Sequence, residues 1–207
     1  MTWLPNLFTG FRLALALFMF VALAAAAGDV PWLDVEPSLG FGLQRGAFYA
    51  FVVAALTDFV DGWIARKLDA TSIWGAILDP IADKVLVCAA VLGLMSQGTN
   101  AAVVLPAALI LFREFTVSAL REVAAGKGVS LPVTLLAKWK TTLQLTALGA
   151  ELLIAAWNAF RLPDDPGILG PFTLAAHALL WIAAIVTLIT GAQYWEHARK
   201  ALADEDV

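Results

Sequence analysis

The sequence predicts an all-α integral membrane protein with six transmembrane helices, and three observations carry that expectation. Of its 207 residues, 61% are hydrophobic and 14% charged, whereas a soluble domain carries about 25% charged residues. Apolar stretches near or above the roughly 20 residues needed to cross hydrocarbon recur along the whole chain. The polar connections between them are short and leave no room for a sizeable soluble domain, so 1–207 reads as a single transmembrane domain.

Windows of about 19 residues place the helices at 6–27, 41–66, 74–96, 100–124, 133–158 and 169–196. The first ends in a run of alanines, as a signal peptide would, but no Lys or Arg precedes its apolar run and it is long enough to span. Gly28, Pro31, Pro37 and Gly40 break the chain after it, and residues 69–72 form the turn after the second helix. The third holds the lone Cys88 among Val87, Ala89 and Ala90, and one cysteine forms no internal disulfide. Residues 96–100 are all that separates it from the fourth helix. Turn residues at 126–132 and 163–170 then bound the fifth. No internal repeat or low-complexity segment interrupts the pattern.

Six spans sort the positive charges by side. Arg66, Lys67, Arg121, Lys127, Lys138, Lys140, Arg199 and Lys200 fall on one side. Arg45 and Arg161 fall on the other, among Asp29, Asp34, Glu36, Asp164 and Asp165. The positive-inside rule makes the first side cytosolic, with both termini there, whatever the formal net charge of -4. The expected setting is a bacterial inner membrane or its organellar equivalent, among membrane lipid and with no nucleic-acid partner. Apolar helix surfaces are compatible with a homodimer.

The stretch 55–85 reads ALTDFVDGWIARKLDATSIWGAILDPIADKV and places four carboxylates in otherwise apolar helices. Asp58 and Asp61 are spaced i, i+3 beside Gly62 and Ala65, with Arg66 one turn past Gly62. Gly75, Asp79 and Asp83 follow at i, i+4, i+8, again on one face. A short turn joins the two helices, so both faces reach the same membrane depth. Each carboxylate in a lipid environment costs at least a few kcal/mol, and four together repel one another. Arg66 and Lys84 supply part of the compensating charge, but such an oxygen cluster is what hard divalent cations prefer. Two ions within about 4 Å of each other would clamp the attacking and leaving oxygens of a phosphoryl-type displacement. Gly62, Gly75 and Ala65 keep the face open to a diphosphate or a base. Taken singly, the residues have plainer readings. Asp79 before Pro80 is a common helix start, Asp58 could face water at a fraying helix end, and Arg66 with Lys67 could anchor the cytosolic edge. The joint spacing favours the metal reading.

The pattern D-x2-D-G-x2-A-R-x8-G-x3-D-x3-D, met in full by Asp58, Asp61, Gly62, Ala65, Arg66, Gly75, Asp79 and Asp83, resembles the signature of the CDP-alcohol phosphotransferase family. That resemblance implies six helices and two divalent ions, Mg2+ or Mn2+, ligated by Asp58, Asp61 and Asp79. By the same resemblance Asp83 would complete the metal site and act as general base. Gly62, Arg66 and Ser72 are implied contacts to the CDP part of a CDP-lipid. The segment Pro5, Asn6, Leu7, Phe8, Thr9 is similar to the segment that lines the nucleotide site in this family. Asn6 and Thr9 also read as interfacial residues at a helix start.

The remaining chain selects the acceptor. Arg113, deep in an apolar run, and Arg121 lie within about 80° on a helical wheel. With Lys138 they would form a cationic pocket for a phosphate monoester. Snorkelling toward headgroups is the alternative for Arg121, an equal one for Lys138 and the favoured one for Lys140. The stretches REFTVSALRE and VSLPVTLLAKWKTTLQ resemble the branch of the family that uses sn-glycerol 3-phosphate. The expected partners are therefore CDP-diacylglycerol and glycerol 3-phosphate, the reaction being phosphatidyl transfer. Inositol phosphate, serine or phosphatidylglycerol are rival acceptors. A small cation transporter is a remote alternative, since it would need polar residues across the whole membrane. The last helix, 172–196, reads as generic, and His177 and His197 as structural or interfacial.

Overall fold

The computed structural model describes the backbone of residues 3–68, 73–98, 100–129 and 135–203, and within these the side chains other than those of 3–6, 58–68, 73–77, 135–138 and 202–203. The described residues form helices and turns without a strand: α1 Trp3–Ala27, α2 Pro37–Leu68, α3 Ile73–Ser96, α4 Ala101–Gly126, α5 Leu135–Ala155 and α6 Pro166–Ala203. Among them Leu7–Ala27, Pro37–Thr57, Ala101–Gly126 and Pro166–Ala201 are long and apolar enough to cross a membrane.

The helix ends follow local chemistry. Gly28, at φ 81°, closes α1 with a bond from its own N–H to the Ala25 carbonyl and one from the Asp29 N–H to the Ala24 carbonyl, the paired bonds of a left-handed C-terminal cap. α2 begins at Pro37, earlier than the expected 41, because a proline at the first helical position gives up only an N–H that had no helical partner. Asn100 caps α4 by accepting from the Ala102 N–H, and the Asp165 side chain accepts from the Gly167 N–H at the start of α6. α5 stops at Ala155, short of the expected 158. Residues 156–161 are turns that end on Arg161 in the left-handed region, φ 55°. The Arg45 guanidinium donates to the Ala159 carbonyl at 2.6 Å and ties this turn to α2. α3 runs straight through Pro80, so Asp79 is not a helix cap and the helix-start reading of the Asp79–Pro80 pair is corrected.

The chain divides into two compact units, one of residues 1–99 and 148–173, the other of 100–147 and 174–207. In the first, α1 packs on both α2 and α3. α1 and α2 are antiparallel, since Gly46 lies against Phe18 and Gly40 near Ala26. α1 and α3 run parallel: Thr9 meets Asp79, Arg12 meets Asp83 and Leu23 meets Gly93. At Gly93 an added Cβ would sit 2.5 Å from Leu23 Cδ1, so a side chain here would force Leu23, itself buried, into another position. At the far end the Gln97 amide donates to the Leu23 carbonyl and accepts from Gln44, a polar clasp across all three helices. The same directions carry the carboxyl end of α2, with positions 58 and 61, to the end of the unit where α1 and α3 begin. In the second unit α6 presents a stripe of buried residues, Ala183, Ala184, Thr187, Thr190, Tyr194 and Ala198, at the 3.6-residue period of a packed helix face.

Candidate functional site

Two clusters of charge stand out, one in each unit. In the first unit α1 supplies two polar side chains from an apolar helix, Thr9 and Arg12, spaced i, i+3 and so on one face. Thr9 is buried and its hydroxyl donates to Asp79 Oδ1 at 2.6 Å. Arg12 Nη1 donates to Asp83 Oδ1, also at 2.6 Å, with Arg12 2% exposed and the Asp83 side chain 55% exposed. A guanidinium this deeply buried needs a counter-charge, and Asp83 supplies it while keeping its carboxylate open to the surroundings. α1 thus grips the two aspartates of α3 from behind, through short charge-assisted or hydroxyl bonds that fix carboxylate orientation. Two exposed carboxylates one helical turn apart are hard oxygen donors of the kind Mg2+ and Mn2+ select. No cluster of three or more metal-ligating side chains occurs among the described residues. The side chains of Asp58 and Asp61, the other two expected ligands, lie outside the described residues, as do those of Asn6, Ala65 and Arg66. Ser72 lies outside them altogether, and Gly62 and Gly75 are described only as helical backbone of α2 and α3.

The second unit holds the cations. Arg113 on α4 is 6% exposed. Its Nη1 donates to Glu114 Oε1 at 3.2 Å and its Nη2 to Thr190 Oγ1 on α6 at 3.2 Å. Lys140 on α5, also buried, forms an ion pair with the same oxygen of Glu114. One carboxylate therefore bridges two buried cations. Arg121, two turns further along α4, is exposed and donates from Nη2 to the Tyr194 hydroxyl at 2.8 Å. The Tyr194 ring lies beneath both guanidinium carbons, 4.9 Å from that of Arg121 and 5.9 Å from that of Arg113, within cation–π range. Tyr194 thus joins the two arginines that the helical wheel placed on one side of α4. Among the described residues three buried polar atoms of this unit have no hydrogen-bond partner: Arg113 Nε, Gln144 Oε1 and Thr187 Oγ1. The Lys138 side chain lies outside the described residues.

Two expectations change. Lys140 does not snorkel: its ammonium is buried, because Glu114 lies within reach on the neighbouring helix. The last helix is not generic, since Thr190 and Tyr194 hold the two arginines. Arg12 was also missed, although a lone arginine at i+3 from Thr9 in an apolar span is itself a signal. For α6 the signal was the spacing of Thr187, Thr190 and Tyr194, the only hydroxyl-bearing residues in 181–196. His197 is exposed, with its ring against the Gln193 carbonyl.

Residues 2–190 match the family model described as CDP-alcohol phosphatidyltransferase. The chain is also similar to three bacterial proteins named CDP-diacylglycerol-glycerol-3-phosphate 3-phosphatidyltransferase. The one from Cereibacter sphaeroides is 39% identical, over 98% of this chain and 97% of its own length. The one from Escherichia coli (strain K12) is 36% identical over 98% of each. The one from Rickettsia bellii is 42% identical over 72% of this chain and 77% of its own length.

Proposed function

The chain belongs to the CDP-alcohol phosphatidyltransferase family, and from that premise we propose that it transfers the phosphatidyl group of CDP-diacylglycerol to sn-glycerol 3-phosphate, giving phosphatidylglycerophosphate and CMP. The observation that carries this reading is the near full-length similarity to relatives named for that reaction. The cationic cluster around Arg113, Arg121 and Tyr194 agrees with it, because a phosphorylated acceptor needs fixed positive charge.

In this reading α3 presents Asp79 and Asp83, and α2 presents Asp58 and Asp61, as the ligands of two divalent ions, Mg2+ or Mn2+. When bound, such ions neutralise the diphosphate of the CDP-lipid and the charge that develops at its phosphorus. The chain's own residues do the rest. Thr9 and Arg12 hold the carboxylates of Asp79 and Asp83 at fixed angles. Asp83 removes the proton from the 1-hydroxyl of glycerol 3-phosphate, and that oxygen attacks the phosphorus that bears diacylglycerol. The bond to CMP breaks, so one P–O bond forms for one lost and the proton rests on Asp83. Gly62, Ala65, Arg66, Ser72 and Gly75, with Asn6 and Thr9, receive the CDP part. Arg113, Arg121 and Lys138 receive the acceptor phosphate. The work is positioning and charge compensation.

The same reading makes all six helices transmembrane, both termini cytosolic and the chemistry cytosol-facing at a bacterial inner membrane, where a lipid donor and a water-soluble acceptor meet. The test is CMP release by the purified protein with CDP-diacylglycerol, Mg2+ and a panel of alcohols. Release with glycerol 3-phosphate, and none with serine, inositol phosphate or phosphatidylglycerol, is expected. Release with one of those alcohols and none with glycerol 3-phosphate would overturn the acceptor assignment.

A further inference from the structure

We propose that α6 completes the acceptor site: Thr190, Gly191 and Tyr194 are positioning residues that set Arg113 and Arg121 in the geometry an acceptor phosphate requires. The inference rests on the proposed phosphatidyl transfer to a phosphorylated alcohol and goes beyond it by naming what makes the arginines fit for that task.

An arginine side chain has four rotatable bonds, so two arginines on one helix do not converge unless something restrains them. Here restraints come from α6 and from Glu114, the neighbour of Arg113 on α4. Thr190 takes one end of the Arg113 guanidinium, while Thr190 in turn donates to the Thr187 carbonyl, which fixes its own rotamer. Glu114 takes the other end. Between these contacts the Arg113 stem runs over Gly191, where an added Cβ would sit 2.8 Å from Arg113 Cγ and 3.5 Å from Nε. A methyl group at this position would push the stem aside. One turn on, Tyr194 is 5% exposed, with its hydroxyl on Arg121 and its ring beneath both arginines.

The cluster also carries more positive than negative charge. Among the described residues Arg113 and Lys140 share the one carboxylate of Glu114, while Arg121 rests on Tyr194. A tyrosine hydroxyl and a threonine hydroxyl orient guanidinium groups without neutralising them, so the surplus is left for an anion. Arg113 Nε, buried and without a partner among the described residues, is one donor such an anion would satisfy. Arg121 is exposed and offers its remaining nitrogens to a ligand arriving from water. The chemistry recognised is a phosphate monoester on a small alcohol, held by fork-shaped donors whose orientation is set in advance.

The experiment is bisubstrate steady-state kinetics on purified Tyr194→Phe, Thr190→Val and Thr190→Ser. Tyr194→Phe keeps the ring and removes only the hydroxyl, and its melting temperature is measured beside the kinetics. Its KM for glycerol 3-phosphate should rise at least about tenfold, the lower end of the worth of a hydrogen bond to a charged group. Its KM for CDP-diacylglycerol should stay within about twofold, the scatter of distant sites. Thr190→Val should shift in the same direction, and Thr190→Ser, which keeps the hydroxyl, should restore the wild-type value. Unchanged KM in both Tyr194→Phe and Thr190→Val, or equal rises for both substrates, would overturn the proposal. If the wild-type protein uses another alcohol, the same split is read on that alcohol. Loss of the glycerol 3-phosphate assignment and loss of the α6 role are then separate results.

Discussion

The two charged clusters solve opposite problems. In the first unit the buried member of the pair is the cation, Arg12, and the anion, Asp83, is the exposed partner. In the second unit Arg113 and Lys140 are buried cations and Glu114, itself largely buried, lies between them. The first arrangement spends its buried charge on aiming carboxylates outward, which suits a site that gathers cations. The second encloses its counter-charge and leaves Arg121 exposed on a tyrosine, which suits a site that gathers an anion. The contrast teaches that the partner of a buried charge reveals its task. Exposed partners belong to the ligand's side, and enclosed partners belong to the scaffold.

Changes at the two clusters should accordingly fail in different ways. The largest effect is expected at Asp83→Asn, which keeps the shape of the side chain but cannot accept the proton. Turnover should fall by about 10²- to 10⁴-fold while the folded protein still binds CDP-diacylglycerol, as a direct binding assay would show. Normal turnover would remove Asp83 as the base. Next is Glu114→Gln, which strands Arg113 and Lys140 without a counter-charge. Stability in detergent should drop by about 3 kcal/mol, as for a broken buried pair, read from thermal unfolding. A variant as stable as wild type would show that Glu114 is not the scaffold's counter-ion. Arg12→Ala should cost less, about 1–2 kcal/mol, because the Asp83 it leaves behind is exposed and rehydrates. Its signature is a fall in kcat, about tenfold on the same scale, with both KM values little changed. Arg121→Ala has the smallest effect on stability: its melting temperature should be unchanged, and its signature is a rise of about tenfold in KM for glycerol 3-phosphate.

How far the sequence could be read differs between the clusters in the same way. The acidic positions were legible because four carboxylates in apolar helices are expensive, and their i, i+3 and i, i+4 spacing puts each pair on one face without knowledge of the fold. Arg113 was legible for the same reason, and the structure finds it buried. Arg12 was passed over because a single arginine near a helix start also reads as an anchor, and only the parallel packing of α1 on α3 brings it to Asp83. Lys140 was misread because the reach of a lysine to headgroups depends on one helix, whereas its pairing with Glu114 depends on two. Thr190 and Tyr194 carry only a weak signal, their shared spacing with Thr187 on one face of an apolar helix, and their partners are fixed by the packing of that face on α4. Helix boundaries moved for local reasons. Proline opened α2 early, a left-handed Arg161 closed the turn after α5, and Pro80 was absorbed into α3.

The division of labour between the clusters is tested most directly by measuring KM for both substrates in Asp79→Asn and Arg121→Ala side by side. If the acidic cluster serves the CDP-lipid and the cationic cluster the acceptor, Asp79→Asn raises KM for CDP-diacylglycerol and Arg121→Ala raises KM for glycerol 3-phosphate, each leaving the other constant nearly unmoved. Both variants raising both constants to the same extent would contradict the account.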